Sequence, residues 1–83
     1  MKKPIRVYTT NYCPFCFRAK ELLNRRGIAF EEIDVTTDEA ARRWLVEATG
    51  RRTVPQIFID GEHVGGYVEL RALADAGGLA HLP

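Results

Sequence analysis

Cys13 and Cys16 are the only cysteines in the chain, and they enclose Pro14 and Phe15 in a Cys-Pro-Phe-Cys run. A disulfide closing so small a loop constrains the unfolded chain very little, because that stabilisation grows with the length of chain enclosed. The pair is therefore poorly explained as a structural staple. Two thiols at this spacing are suited to electron exchange with another disulfide, provided that one ionises readily and the other waits. A helix starting between them supplies both conditions. Pro14 fits the first helical position, where its missing N–H would have no partner in any case. Cys13 then occupies the cap, its sulfur against free backbone N–H groups, notably those of Phe15 and Cys16. Those donors and the positive end of the helix dipole favour thiolate over thiol. Cys16 begins an apolar stripe that continues through Ala19, Leu22 and Leu23, so it is expected to be shielded and to remain a thiol. One turn of helix brings both sulfurs to the same side, within disulfide reach. The asymmetry suggests Cys13 as attacking and Cys16 as resolving cysteine.

Two plainer readings compete with this one: a pair of small packed hydrophobes, or half of a zinc site. Zinc needs two further ligands, and the only histidines are His63 and His81, far outside the usual gap of three to five residues between paired ligands. No metal is expected, and the strand-then-helix setting of the pair favours redox chemistry.

The elements that must position the pair can be read from pattern. Residues 5–9 form a strand by their β-branched and aromatic content and the Ile5/Val7 alternation. Residues 14–26 form a helix that turns Arg18, Glu21, Asn24 and Arg25 to water and ends at Gly27. A second strand covers 29–34, with Ala29, Ile33 and Val35 on one parity. Thr36-Thr37-Asp38-Glu39 matches a capping box with Thr36 at the cap. Ala41, Trp44, Leu45 and Ala48 then follow at i, i+3, i+4 and i+7 in a second helix ending at Gly50, with two places open to Trp44: inward beside Leu45, or partly exposed near the groove. Gln56 to Ile59 is almost wholly apolar, as befits a strand covered on both faces. Asp60-Gly61 signals a tight hairpin, so 62–65 returns antiparallel. A third helix spans about Tyr67 to Ala76, with Leu70, Leu73 and Ala74 inward and Gly77-Gly78 as its stop. The order βαβ-α-ββ-α predicts an α/β fold, a mixed four-stranded sheet with helices on both faces.

Eighty-three residues allow one domain, 1–83, and 46% apolar with 28% charged residues is an ordinary globular composition. A net charge of +1 is not that of a dedicated nucleic-acid binder, and the doublets Arg25-Arg26, Arg42-Arg43 and Arg51-Arg52 read as scattered surface charge. No apolar run of membrane-spanning length or export signal is visible, so a reducing cytoplasm is the expected compartment, and a monomer without nucleic-acid or membrane partners the expected form.

Three blocks in order resemble the glutaredoxin family: Tyr12-Cys13-Pro14-Phe15-Cys16 its dithiol site, Thr53-Val54-Pro55-Gln56-Ile57-Phe58-Ile59 its Thr-Val-Pro strand, and Gly61 through Gly65-Gly66-Tyr67 its glutathione-contacting turn. The short bacterial dithiol members are most similar. The resemblance implies a thioredoxin-like fold, a cis peptide before Pro55, and glutathione as co-substrate. It implies that the backbone at Val54 pairs with the cysteinyl part of glutathione, within a site drawn from Tyr12, Phe15, Arg52, Thr53, Val54, Pro55, Gly66, Tyr67, Val68 and Glu69. The N–H groups opening the third helix would take the γ-glutamyl carboxylate, and Arg42 or Arg52 the glycine carboxylate. Two positions depart from the family pattern. Thr10 stands where many relatives carry lysine, and Val68 where Asp or Ser often accepts from the glutamyl amine, shifting weight to backbone contacts and Glu69. The implied partners are disulfide-containing or glutathionylated proteins, ribonucleotide reductase among them. Two further roles are compatible with the resemblance. One is an electron donor recharged by thioredoxin reductase, though such proteins usually lack the Gly-Gly-Tyr turn. The other is a glutathione-ligated [2Fe–2S] carrier, against which Pro14 argues.

Overall fold

The computed structural model describes residues 5–80, so Met1 to Pro4 and His81 to Pro83 lie outside the described residues. The elements are β1 Ile5–Thr9, α1 Pro14–Arg25, β2 Glu31–Asp34, α2 Glu39–Thr49, β3 Gln56–Ile59, β4 Glu62–Gly65 and α3 Tyr67–Asp75. The sheet runs β2-β1-β3-β4. β1 pairs parallel with β2 (Val7 opposite Glu32) and antiparallel with β3 (Val7 opposite Ile57), and β3 pairs antiparallel with β4. This is the expected mixed four-stranded, three-helix arrangement.

Alternation along the two central strands divides the core. Ile5, Val7 and Ile57 face α1 and α3, packing with Ala19, Leu23, Leu70, Ala74 and Leu79. Tyr8 and Phe58 face the other way, against Val35 and Leu45 of the α2 side. Each fully buried Leu or Ile in the first cluster contributes roughly 1.5–3 kcal/mol of burial energy. The cluster holds α1 and α3 side by side, so that the N-termini of both helices open near β3.

Local signals explain most boundaries. Gly50 takes the left-handed conformation (φ 70°) that lets α2 end with its N–H on the Val46 carbonyl. Asp60 and Gly61 both have positive φ (52° and 83°), the backbone of a two-residue hairpin turn.

Several expectations need correction. The cap of α2 is Asp38, whose carboxylate accepts the Ala41 N–H at 3.0 Å, not Thr36. Thr36 instead accepts the Asn11 N–H at 2.9 Å and donates to Asp34, tying the end of β2 to the turn before Cys13. The second strand begins at Glu31 rather than residue 29, and Ala29 is exposed. On α2 only Leu45 is fully buried, with Ala41 half-buried, Ala48 exposed and Trp44 46% exposed. Trp44 lies across the cluster rim, its ring 5.5 Å from Tyr8 and 5.7 Å from Phe58. Gln56, the polar residue of β3, is fully buried.

Candidate active site

Cys13 caps α1 in extended backbone (φ −104°, ψ 112°), with Pro14 as the first helical residue. Its sulfur accepts the Cys16 N–H at 3.2 Å, and as a thiol it donates to the Val54 carbonyl at 3.3 Å. Of the two N–H groups expected at that sulfur, Cys16's makes the hydrogen bond; the N–H of Phe15 does not. Both thiols are free, Cys13 half-buried and Cys16 only 1% exposed. The Cys16 thiol is pushed up to about 12, first by burial, then by the hydrogen bond and charge of the Cys13 sulfur, against smaller opposing pulls from the Thr10 backbone and Lys20. Charging a sulfur in that enclosed place is unfavourable, so Cys16 stays protonated at neutral pH. Thr10 is buried beside it, and its hydroxyl oxygen has no hydrogen-bond partner among the described residues.

One segment meets Cys13 directly and two others connect to it or to its helix. The first is the Thr53-Val54-Pro55 loop, with a cis peptide before Pro55. A buried amide holds it. Gln56 Nε2 donates to the Thr53 carbonyl at 2.9 Å, which fixes the amide's orientation and turns Oε1 to His63 Nε2 at 2.7 Å. An oxygen can only accept, so His63 carries its proton on Nε2. Burial and then the nearby Arg51 charge lower the His63 pKa from its usual value, which keeps the ring neutral.

The second segment is the Gly65-Gly66 turn opening α3. A Cβ at Gly66 would stand 3.3 Å from the Pro55 carbonyl oxygen, so glycine lets the two segments touch. Glu69 folds back one turn to accept the Gly66 N–H at 2.7 Å and the Arg51 guanidinium at 2.6 Å. It thereby links the loop after α2 to the start of α3. Those two donors hold its pKa below the usual carboxylate range, the Gly66 N–H contributing most. Because the folded-state value lies below the unfolded one near 4.5, the link's stabilising contribution is present above that pH and is lost as pH falls through the lowered value. Thermal unfolding of wild type and Glu69→Gln at pH 6.5 and pH 3 tests this. The wild type is expected to melt a few degrees higher at the first pH, and the gap to shrink at the second.

The third segment is aromatic. Phe15 is half-exposed, its ring 6.1 Å from Tyr67 and under the Arg18 guanidinium at 5.3 Å. On the other side of Cys13, Tyr12 is 67% exposed and its hydroxyl accepts from Arg42 at 2.8 Å. There a cationic pocket of about 360 Å³ lies between Tyr12, Arg42, Arg51, Arg52 and the Thr53-Val54 backbone.

The residues expected at the site are linked to one another by a short series of contacts. Val54 meets the Cys13 sulfur, Gly66 lies against the Pro55 carbonyl, Phe15 meets Tyr67, and Tyr12, Arg52 and Thr53 line one pocket with Val54. Val68 points to solvent at 68% exposure, and the Glu69 carboxylate is already engaged within the fold. Sequence reasoning missed Arg51, His63 and the buried role of Gln56. The Arg51-Arg52 doublet marked the place without saying which guanidinium turns to Glu69.

Comparison with known proteins returns one consistent answer. Residues 5–64 match the family model described as Glutaredoxin. The chain is 45% identical to Glutaredoxin 3 of Escherichia coli over 90% of each chain. It is 47% identical to the glutaredoxin of Pseudomonas aeruginosa over 92% of this chain and 90% of that one. Among solved structures, a buckwheat glutaredoxin–glutathione complex superposes with a TM-score of 0.87 at 32% identity, covering 94% of this chain and 74% of that one. A glutaredoxin from Brucella melitensis gives 0.83 at 46% identity, covering 95% and 86%.

Proposed function

The chain belongs to the glutaredoxin family, and from that premise we propose that it reduces glutathionylated proteins and protein disulfides at the expense of glutathione, with Cys13 as nucleophile and Cys16 as resolving thiol. Family and thioredoxin-like fold make it a thiol–disulfide oxidoreductase. The observation that carries the finer reading is the unequal placement of the two sulfurs: Cys13 at the helix mouth under the Cys16 N–H, Cys16 enclosed and protonated.

In the proposed cycle the Cys13 thiolate attacks the glutathione sulfur of a mixed disulfide. A Cys13–glutathione disulfide forms, and the protein leaves as thiolate and takes up a proton. A second glutathione thiolate attacks the glutathione sulfur of that bond, releases oxidised glutathione and returns Cys13 to the thiolate. With a protein disulfide, Cys13 first joins one protein sulfur. Cys16 then loses its proton and attacks Cys13, releasing the reduced protein and leaving a Cys13–Cys16 disulfide for two glutathiones to reduce.

The site has features for each part of glutathione. The Val54 backbone beside the Cys13 sulfur suits the cysteinyl unit as a short added strand. The free N–H groups of Tyr67 and Val68 at the start of α3 suit the γ-glutamyl carboxylate, since the Gly66 N–H is taken by Glu69. Arg42 or Arg52, in the pocket beside Thr53, suits the glycine carboxylate. Among the described residues no helix is long and apolar enough to cross a membrane. The proposed place of action is the cytoplasm, where glutathione keeps thiols reduced.

A glutathione-coupled assay on the Cys16→Ser variant tests this division of labour. Turnover of a glutathionylated peptide is expected to stay within about threefold of wild type, and reduction of an intramolecular protein disulfide to fall by roughly a hundredfold. Equal loss of both activities would contradict the assignment of Cys16.

A further inference from the structure

We propose that the arginine-lined groove between α1 and α3 docks an acidic segment of the protein whose disulfide reaches Cys13. The inference rests on the reading of Cys13 given above. The groove, about 450 Å³, is lined by Arg18, Arg25, Arg26 and Arg71 against only two carboxylates, Glu21 and Asp75. Its charge is therefore +2 in a chain whose net charge is +1, which makes it one of two positive patches, the other being the Arg42, Arg51 and Arg52 pocket, where Arg51 is held by Glu69.

Its ion pairs are also loose. Arg25–Glu21, Arg71–Asp75 and Arg26–Asp75 stand at 3.6, 3.8 and 3.9 Å. Elsewhere Arg6–Glu31, Lys20–Glu32 and Arg51–Glu69 close to 3.2, 2.9 and 2.6 Å. Pairs beyond hydrogen-bonding distance leave guanidinium donors free, and each guanidinium presents five donors in a planar fork matched to a carboxylate. Arg18 has no carboxylate partner among the described residues; it lies over Phe15, which meets Tyr67. Arg18 and Tyr67 line the groove and both meet Phe15, which follows Cys13 by two residues. A chain with its cysteine at the Cys13 sulfur and aspartates or glutamates a few residues away can lay them between the two helices.

The test uses the full chain and two probes. The first is a twelve-residue peptide with four acidic residues and serine in place of its cysteine, titrated against the isotopically labelled reduced protein. Shifts are expected in the backbone and arginine side-chain resonances of α1 and α3, and not with a peptide carrying serines for the acids. No shifts, or shifts confined to the Arg42–Arg52 pocket, would overturn the proposal. The second probe is turnover of matched glutathionylated peptides. At low salt the acidic one is expected to exceed the neutral one roughly tenfold in kcat/KM, falling to within about twofold at 0.5 M salt. Arg25→Gln/Arg71→Gln is expected to remove most of that preference and to leave turnover of the cysteine–glutathione mixed disulfide unchanged. A preference that survives the double substitution would reject the groove. Binding of the acidic peptide by a protein that turns over no mixed disulfide would uphold the groove and remove the catalytic reading.

Discussion

Cys13→Ser is expected to bring both deglutathionylation and protein-disulfide reduction down to the uncatalysed background, a loss of about three orders of magnitude or more. A hydroxyl cannot form the mixed disulfide through which either route passes, and at neutral pH it does not ionise to a nucleophile. The fold has little reason to fail, since serine is a good helix cap and can accept the same Cys16 N–H. Unchanged circular dichroism and melting temperature would separate lost chemistry from lost structure. Cys16 is not expected to substitute as nucleophile. It is enclosed and its thiol is pushed up to about 12, so iodoacetamide should label Cys13 in the wild type and almost nothing in the variant at pH 7. Appreciable turnover by Cys13→Ser, or rapid alkylation of its remaining thiol, would reverse the roles given to the two sulfurs.

The second large effect is expected away from sulfur. Gly65 has φ 132°, in the region that favours glycine, and a Cβ there would overlap Glu69, whose Cγ and Cβ stand 2.8 and 2.9 Å from it. Those atoms lie close to the α3 backbone and cannot simply swing aside. Gly65→Ala therefore adds backbone strain to overpacking, for a combined loss of roughly 2–4 kcal/mol in stability. The Glu69 side chain would also be displaced from Gly66 and Arg51, so the start of α3 should loosen at the site. Urea denaturation measures the first effect, and KM for a glutathionylated peptide, expected to rise more than kcat falls, measures the second. A substitution that changes the denaturation midpoint by less than experimental error would mean that the turn adapts freely.

Much of this arrangement could be read from the chain, and the reasons are local. Pro14 after Cys13, Gly27 and Gly50 after apolar stripes, and Asp60-Gly61 between two short runs are signals whose physics is complete within a few residues. The features that escaped depend on contacts between distant segments. Three consecutive candidates, Thr36, Thr37 and Asp38, could cap α2, and Asp38 takes the position while Thr36 is drawn to Asn11 of another loop. Gln56 and His63 meet across a hairpin whose register shifts between Ile57 and Phe58, so their pairing is not visible in simple alternation. Helical periodicity left Trp44 open between the interior and a partly exposed position, and the fold puts the indole at the rim, 46% exposed beside Tyr8 and Phe58. At the site, the resemblance indicated which backbone surrounds Cys13, while the closing of Glu69 onto Arg51 required the fold.

The ends of the sheet have a bearing on how the protein behaves when crowded. β2 is an outer strand of only four residues, and three of them, Glu31, Glu32 and Asp34, are acidic. β4, at the opposite margin, is equally short and adjoins the register shift in β3. A neighbouring copy seeking to extend the ladder through β2 would set carboxylates against carboxylates. At β4 it would find a strand too brief and irregular to template continued pairing. Both margins thus discourage the edge-to-edge growth that leads to aggregates.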